Sequence, residues 1–96
     1  MEASVGDIVY SKAGRDKGSL FVVMTVDGEY VYISNGSSRK SDKPKKKKIK
    51  HLKFAYGNSA YLSNKLIKGE KVTNTELRRE LQEYNQQPDQ AVVGNI

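Results

Sequence analysis

A chain of 96 residues has room for one domain with a small core. It contains no cysteine and no tryptophan, which excludes disulfides, zinc ribbons and thiol catalysis and fits a reducing, cytoplasmic setting. Its net charge of +6 is concentrated: Arg39, Lys40, Lys43, Lys45, Lys46, Lys47, Lys48, Lys50 and Lys53 face only Asp42, a local +8 that leaves −2 for the rest. Such crowding costs self-repulsion, and a polyanionic partner is the usual compensation.

In chain order, Met1-Glu2-Ala3-Ser4 carries no basic region followed by an apolar stretch, and no apolar run is long enough to span a bilayer. No signal peptide and no membrane partner are expected. Asp7 to Ala13 reads as a first strand, although Ser11 stands where an apolar residue would be usual. The segment Ala13-Gly14-Arg15-Asp16-Lys17-Gly18 reads as a tight charged turn. Leu20 to Val26, rich in β-branched and aromatic residues, reads as a second strand. Asp27-Gly28 is a hairpin signal, and Glu29 to Ser34 follows as a third strand. Asn35-Gly36-Ser37-Ser38 marks another turn. Residues 39 to 48 are polar and basic, and Pro44 disfavours a central strand there. This stretch is expected to be a mobile arm. Ile49 to Phe54 can form a short strand with Leu52 and Phe54 on one face. Short strands separated by tight turns point to a small barrel or sandwich.

The second half changes period. Leu62, Leu66 and Ile67 have helical spacing over residues 60 to 67. Thr73-Asn74-Thr75-Glu76 fits a capping box, with Leu77, Leu81 and Tyr84 forming one apolar stripe behind it. A helix is expected over 74 to 85. It is too short to persist alone and must dock on the strands. Gln86-Gln87-Pro88 ends it, and 86–96 is expected to be a flexible tail. There are no internal repeats.

The elements Gly6-Asp7-Ile8-Val9, Ala13 to Gly18 and Lys50-His51-Leu52 together resemble a KOW motif. They are similar to the archaeal and eukaryotic large-subunit ribosomal protein family fourteen-e and its small bacterial relatives. The resemblance covers residues 5 to 54. It implies a mainly β, SH3-like small barrel over residues 1–56, to which 57–85 would add a helical extension packed on the barrel. It also implies ribosome-associated RNA binding, a place in translation within a ribonucleoprotein, and neighbouring ribosomal proteins as further contacts. When free, the protein is expected to be a monomer. Residues 58 to 96 extend past what the motif explains, leaving room for a role other than that of a constitutive ribosomal protein.

Two regions carry the expected RNA interface. The glycine-flanked loop presents Lys12, Arg15 and Lys17; on spacing alone it also reads as a solvated hairpin. The basic segment adds Arg39, Lys40, Lys43, Lys45, Lys46, Lys47, Lys48, Lys50, His51 and Lys53. Lysine is a hydrated point charge that neutralises phosphate without reading bases. A solvated loop and a nuclear-import address are the alternatives for the lysine run. Tyr30 and Tyr32 would share one outer face if Val31 and Ile33 lie inside, where they could stack on bases or pack at a barrel end.

No enzyme is expected. His51 is the sole histidine, without partners for a metal site or a nucleophile. Asp7, Asp16 and Asp27 are scattered at strand ends and turns, where capping explains acids. Gly14 to Gly18 lacks the Lys-Ser/Thr and helix of a nucleotide-binding loop. No cofactor or metal is expected. The rival reading is an SH3-like protein-interaction module of the translation or transcription machinery, which would need converging exposed rings.

Overall fold

Alternating burial along the first strands builds two cores from one sheet. The structure is a computed structural model describing residues 2–85, so the expected tail 86–96 lies outside the described residues. Strands β1 (Ile8–Ser11), β2 (Leu20–Asp27), β3 (Tyr30–Ser34), β4 (Lys45–Lys48) and β5 (Leu52–Lys53) form an antiparallel sheet in the order β4-β3-β2-β1-β5. One 3-10 turn, Ile49–His51, joins β4 to β5, and helices α1 (Ala60–Ile67) and α2 (Asn74–Asn85) follow. The chain is therefore mainly β. The sheet is not closed: β4 and β5 are its two edges.

Period-two alternation sends Val9, Phe21, Val23, Val31, Ile33 and Leu52 to one face. Ile8 and Val22 go to the other, where they meet Leu62, Val72, Leu77 and Leu81 from the helical half. Leu77, Leu81 and Tyr84 pack there as the stripe predicts. Each fully buried aliphatic side chain among them is worth roughly 1.5–3 kcal/mol of transfer free energy.

Four local details differ from the sequence reading. β1 stops at Ser11, whose side chain is fully buried and donates to the Ala13 carbonyl at 3.0 Å. That bond satisfies the hydroxyl and turns the chain out of the strand. The β2–β3 loop is Gly28-Glu29, closed by the pair Asp27–Tyr30, with φ +62 at Gly28 and positive φ at no neighbouring residue. That geometry is a type II′ hairpin with glycine first. A bulge at Met24 shifts the β2–β3 register, so that Thr25 pairs with Tyr32. Last, Lys45–Lys48 is an edge strand paired with Ile33 to Tyr30, where a mobile arm was expected. The open edge of β3 offers backbone donors and acceptors, and pairing them outweighs the low strand propensity of lysine. Pro44 sits just before this edge strand, where a missing N–H is tolerated.

The helices begin as their caps dictate. The Ser59 hydroxyl accepts from the Leu62 N–H at 3.2 Å and donates to Glu80 at 2.7 Å, tying the start of α1 to α2. At α2, the Thr73 hydroxyl accepts from the Glu76 N–H at 3.1 Å, and Glu76 accepts in return from the Thr73 N–H at 2.9 Å. Glu76 does more than cap: it takes hydrogen bonds from the Lys65 ammonium at 2.8 Å and from the Tyr61 hydroxyl. The Lys65 ammonium, then the Tyr61 hydroxyl and the Thr73 backbone, hold its carboxyl down to about 2. The β3–β4 loop docks on the same helix end, where the Ser41 N–H donates to the Asn74 side chain at 2.7 Å. Gly36 lies so close that a Cβ on it would collide with the Asn74 carbonyl oxygen.

Candidate nucleic-acid interface

The two regions expected to bind RNA are brought together by an acid that the sequence reading assigned to turn capping. Asp16 sits at the tip of the β1–β2 loop yet is 7% exposed. Its carboxylate accepts two hydrogen bonds from the Arg39 guanidinium, both at 3.3 Å. Lys45 and Lys47 each place Nζ 4.0 Å from it. Lys47 also donates to the Ala13 carbonyl at 3.0 Å. Loop and strand are thus fastened into one surface by a carboxylate among three cations.

The alternation of β4 explains why. Lys45 and Lys47 pair with Ile33 and Val31, so they stand on the core side of the sheet. Their stems lie along the edge of that core while the ammonium ends reach Asp16. The Lys47 side chain is only 10% exposed. Lys46 and Lys48 pair with Tyr32 and Tyr30 and stand on the opposite face, Lys46 4.5 Å and Lys48 5.9 Å from the Tyr30 ring centroid. The lysine run is therefore two pairs with different environments, and its even solvation, as first expected, is corrected. Tyr30 and Tyr32 do share one face, because Val31 and Ile33 are fully buried.

The remaining expected residues are all exposed. Arg15 and Lys17 are exposed at the loop tip, and Lys40 and Lys43 are exposed on the β3–β4 connection. Lys12 is exposed, and its N–H donates to the His51 carbonyl at 3.0 Å, which joins the loop base to the 3-10 turn. Lys50, His51 and Lys53 are exposed, and Lys53 pairs with Tyr10. Arg39, Lys45 and Lys47 are committed to Asp16 and serve the surface as its scaffold.

Sequence reasoning missed a groove of about 420 Å³ lined by Lys12, Gly28, Glu29, Lys48, Ile49 and Lys50, with Leu52 at its base. No run of residues signals it, because its walls come from three turns. Among the described residues no group of three His, Cys, Asp or Glu side chains could hold a metal ion, and no helix is long and apolar enough to cross a membrane. No protein-family model matches the chain, and no curated protein matches it.

Proposed function

We propose that this chain is a non-catalytic, ribosome-associated RNA-binding protein built on an SH3-like barrel of the KOW type. The observation that carries this is the fastening of the β1–β2 loop to the lysine strand through Asp16. It leaves Lys12, Arg15, Lys17, Lys40, Lys43, Lys46, Lys50 and Lys53 exposed, with Lys46 on the β4 edge itself. Phosphates approaching that edge meet charges mounted on a strand and an anchored loop, so less chain freedom is lost on binding than with a mobile arm. Released counterions supply the affinity. The strand order β4-β3-β2-β1-β5, with a 3-10 turn before β5, supports the barrel type. The choice of ribosomal RNA rests on the KOW resemblance of residues 5 to 54.

A protein-interaction module on the same scaffold would need rings converging on an open pocket. Tyr30 is instead overlaid by Lys46, and Tyr10 pairs with Tyr56 at a centroid distance of 6.4 Å. These contacts favour the RNA reading. The test is the salt dependence of binding to structured RNA. With about five to eight phosphates neutralised, log K against log salt should slope at roughly −3.5 to −7. A slope near zero for a verified complex rejects the proposal, and co-sedimentation with ribosomal subunits tests its ribosomal part.

A further inference from the structure

The groove between the β2–β3 hairpin and the 3-10 turn has a chemistry that phosphate binding alone does not use. Its volume of about 420 Å³ lies in the range of small-ligand sites, roughly 300–1,000 Å³. Its floor is apolar, formed by the half-buried Ile49 above the buried Leu52. Three cations, Lys12, Lys48 and Lys50, line it as well. Glu29 is the one acidic side chain lining it. Gly28 also lines it, and nothing stands within 4 Å of the position a Cβ would take there, so this part of the lining is open. The Ile49 N–H donates to the Glu29 carbonyl at 2.8 Å and the Lys12 N–H to the His51 carbonyl at 3.0 Å, so the walls are held by backbone bonds.

We infer that this groove is a subsite for one unpaired nucleotide of the bound RNA, its base on Ile49 and Leu52 and its phosphate among Lys12, Lys48 and Lys50. The inference rests on the RNA-binding reading above. A duplex presents a convex row of phosphates and cannot place an apolar group on that floor. A flipped-out base can, because its flat apolar face and its charged phosphate are one nucleotide apart. The tyrosines offer a poorer platform, since Lys46 already overlies Tyr30. The protein therefore reads a bulged or looped nucleotide beside a helical segment: the lysine edge takes the helix and the groove takes the base.

The experiment compares three RNA hairpins of the same stem: fully paired, carrying one bulged adenosine, and carrying an abasic bulge. The adenosine bulge should bind about fivefold tighter than the other two, the low end of what a seated base contributes at a protein surface. In the Ile49→Thr variant, which keeps a β-branched side chain but makes the apolar lining polar, that preference should disappear while the paired hairpin binds as before. Amide shifts at Gly28, Glu29, Ile49 and Lys50 should accompany the adenosine bulge alone. Equal affinity for the paired and bulged hairpins, or an abasic bulge as good as adenosine, overturns the subsite and leaves RNA binding standing. Shifts confined to other residues do the same. If no hairpin binds at all, the RNA reading falls and the subsite with it.

Discussion

Replacing Asp16 by Asn removes one negative charge from the centre of three cations and keeps the side-chain shape. At an effective dielectric constant of about 20, a unit pair at 4 Å is worth roughly 4 kcal/mol before desolvation. Most of this is cancelled: exposed pairs net about 0–1 kcal/mol, and breaking a buried pair costs about 3–5 kcal/mol. Asp16 is buried, but the Arg39 and Lys45 side chains are 29% and 37% exposed, which places the change between those limits. A loss of about 2 kcal/mol follows, part of it from repulsion among Arg39, Lys45 and Lys47 once their counter-ion is gone. For a domain of 96 residues, where 1 kcal/mol moves Tm by about 4–8 °C, the melting point should fall by about 8–16 °C. Thermal melts followed by circular dichroism read this directly, and raising the salt should narrow the gap by screening the repulsion. Combining Asp16→Asn with Lys47→Met should cost less than the sum of the two single changes. A Tm within about 2 °C of the parent protein, well inside the expected shift, would refute the idea that Asp16 fastens the loop to the sheet.

Glu76→Gln removes the charge that Lys65, Tyr61 and the Thr73 N–H all address, and should cost about 1–2 kcal/mol in urea unfolding, allowing for solvent screening. Because the folded carboxyl is held at about 2 against an ordinary 4.5, its contribution is present above the unfolded value and is lost as pH falls from about 5 towards 2; the variant should lack that part of the acid dependence. Gly36→Ala should lower stability by about 2 kcal/mol or more, since φ is +79 and the new methyl meets the Asn74 backbone; an unchanged urea midpoint would contradict the packing of this loop on α2. Lys46→Gln/Lys48→Gln should weaken RNA binding and leave Tm nearly unchanged, whereas Lys45→Gln/Lys47→Gln should lower Tm as well; equal melting points for the two pairs would deny the two-faced strand. Arg15→Ala and Lys17→Ala should each reduce RNA affinity more than Lys43→Ala, because the loop they occupy is fastened at its tip; fluorescence anisotropy decides it.

Both helices could be read from the chain with their limits, because their signals are local: the Thr73-to-Glu76 capping box, and apolar residues spaced three and four apart. The first three strands were legible for the same reason, through β-branched runs broken by glycine. What escaped was decided across distance. Four consecutive lysines carry no strand signal, and their pairing depends on the free edge of β3, on partners twelve to eighteen positions earlier in the chain. Asp16 looks like any turn acid until Arg39, 23 positions away, is folded against it. The Met24 bulge leaves no mark in a run that is apolar from Leu20 to Met24. Glu76 showed its capping role, which spans three residues, but not its bond to Lys65 on another helix. Of the candidate interface, the cations were legible as a list; which of them face solvent and which face an internal carboxylate was not.

The lysine strand has a consequence for how the molecule behaves in company. An open sheet leaves strand edges that can recruit a second copy, and β4 is such an edge. Joining two copies there would set eight lysines on two strands about 4.8 Å apart. Like charge of that density blocks edge-to-edge growth, as natural sheets often arrange with lysine at their rims. A polyanion laid along the strand cancels the block. With RNA as the proposed partner, colloidal stability should depend on the ratio of RNA to protein, secure at either excess and weakest near charge balance, where turbidity should first appear.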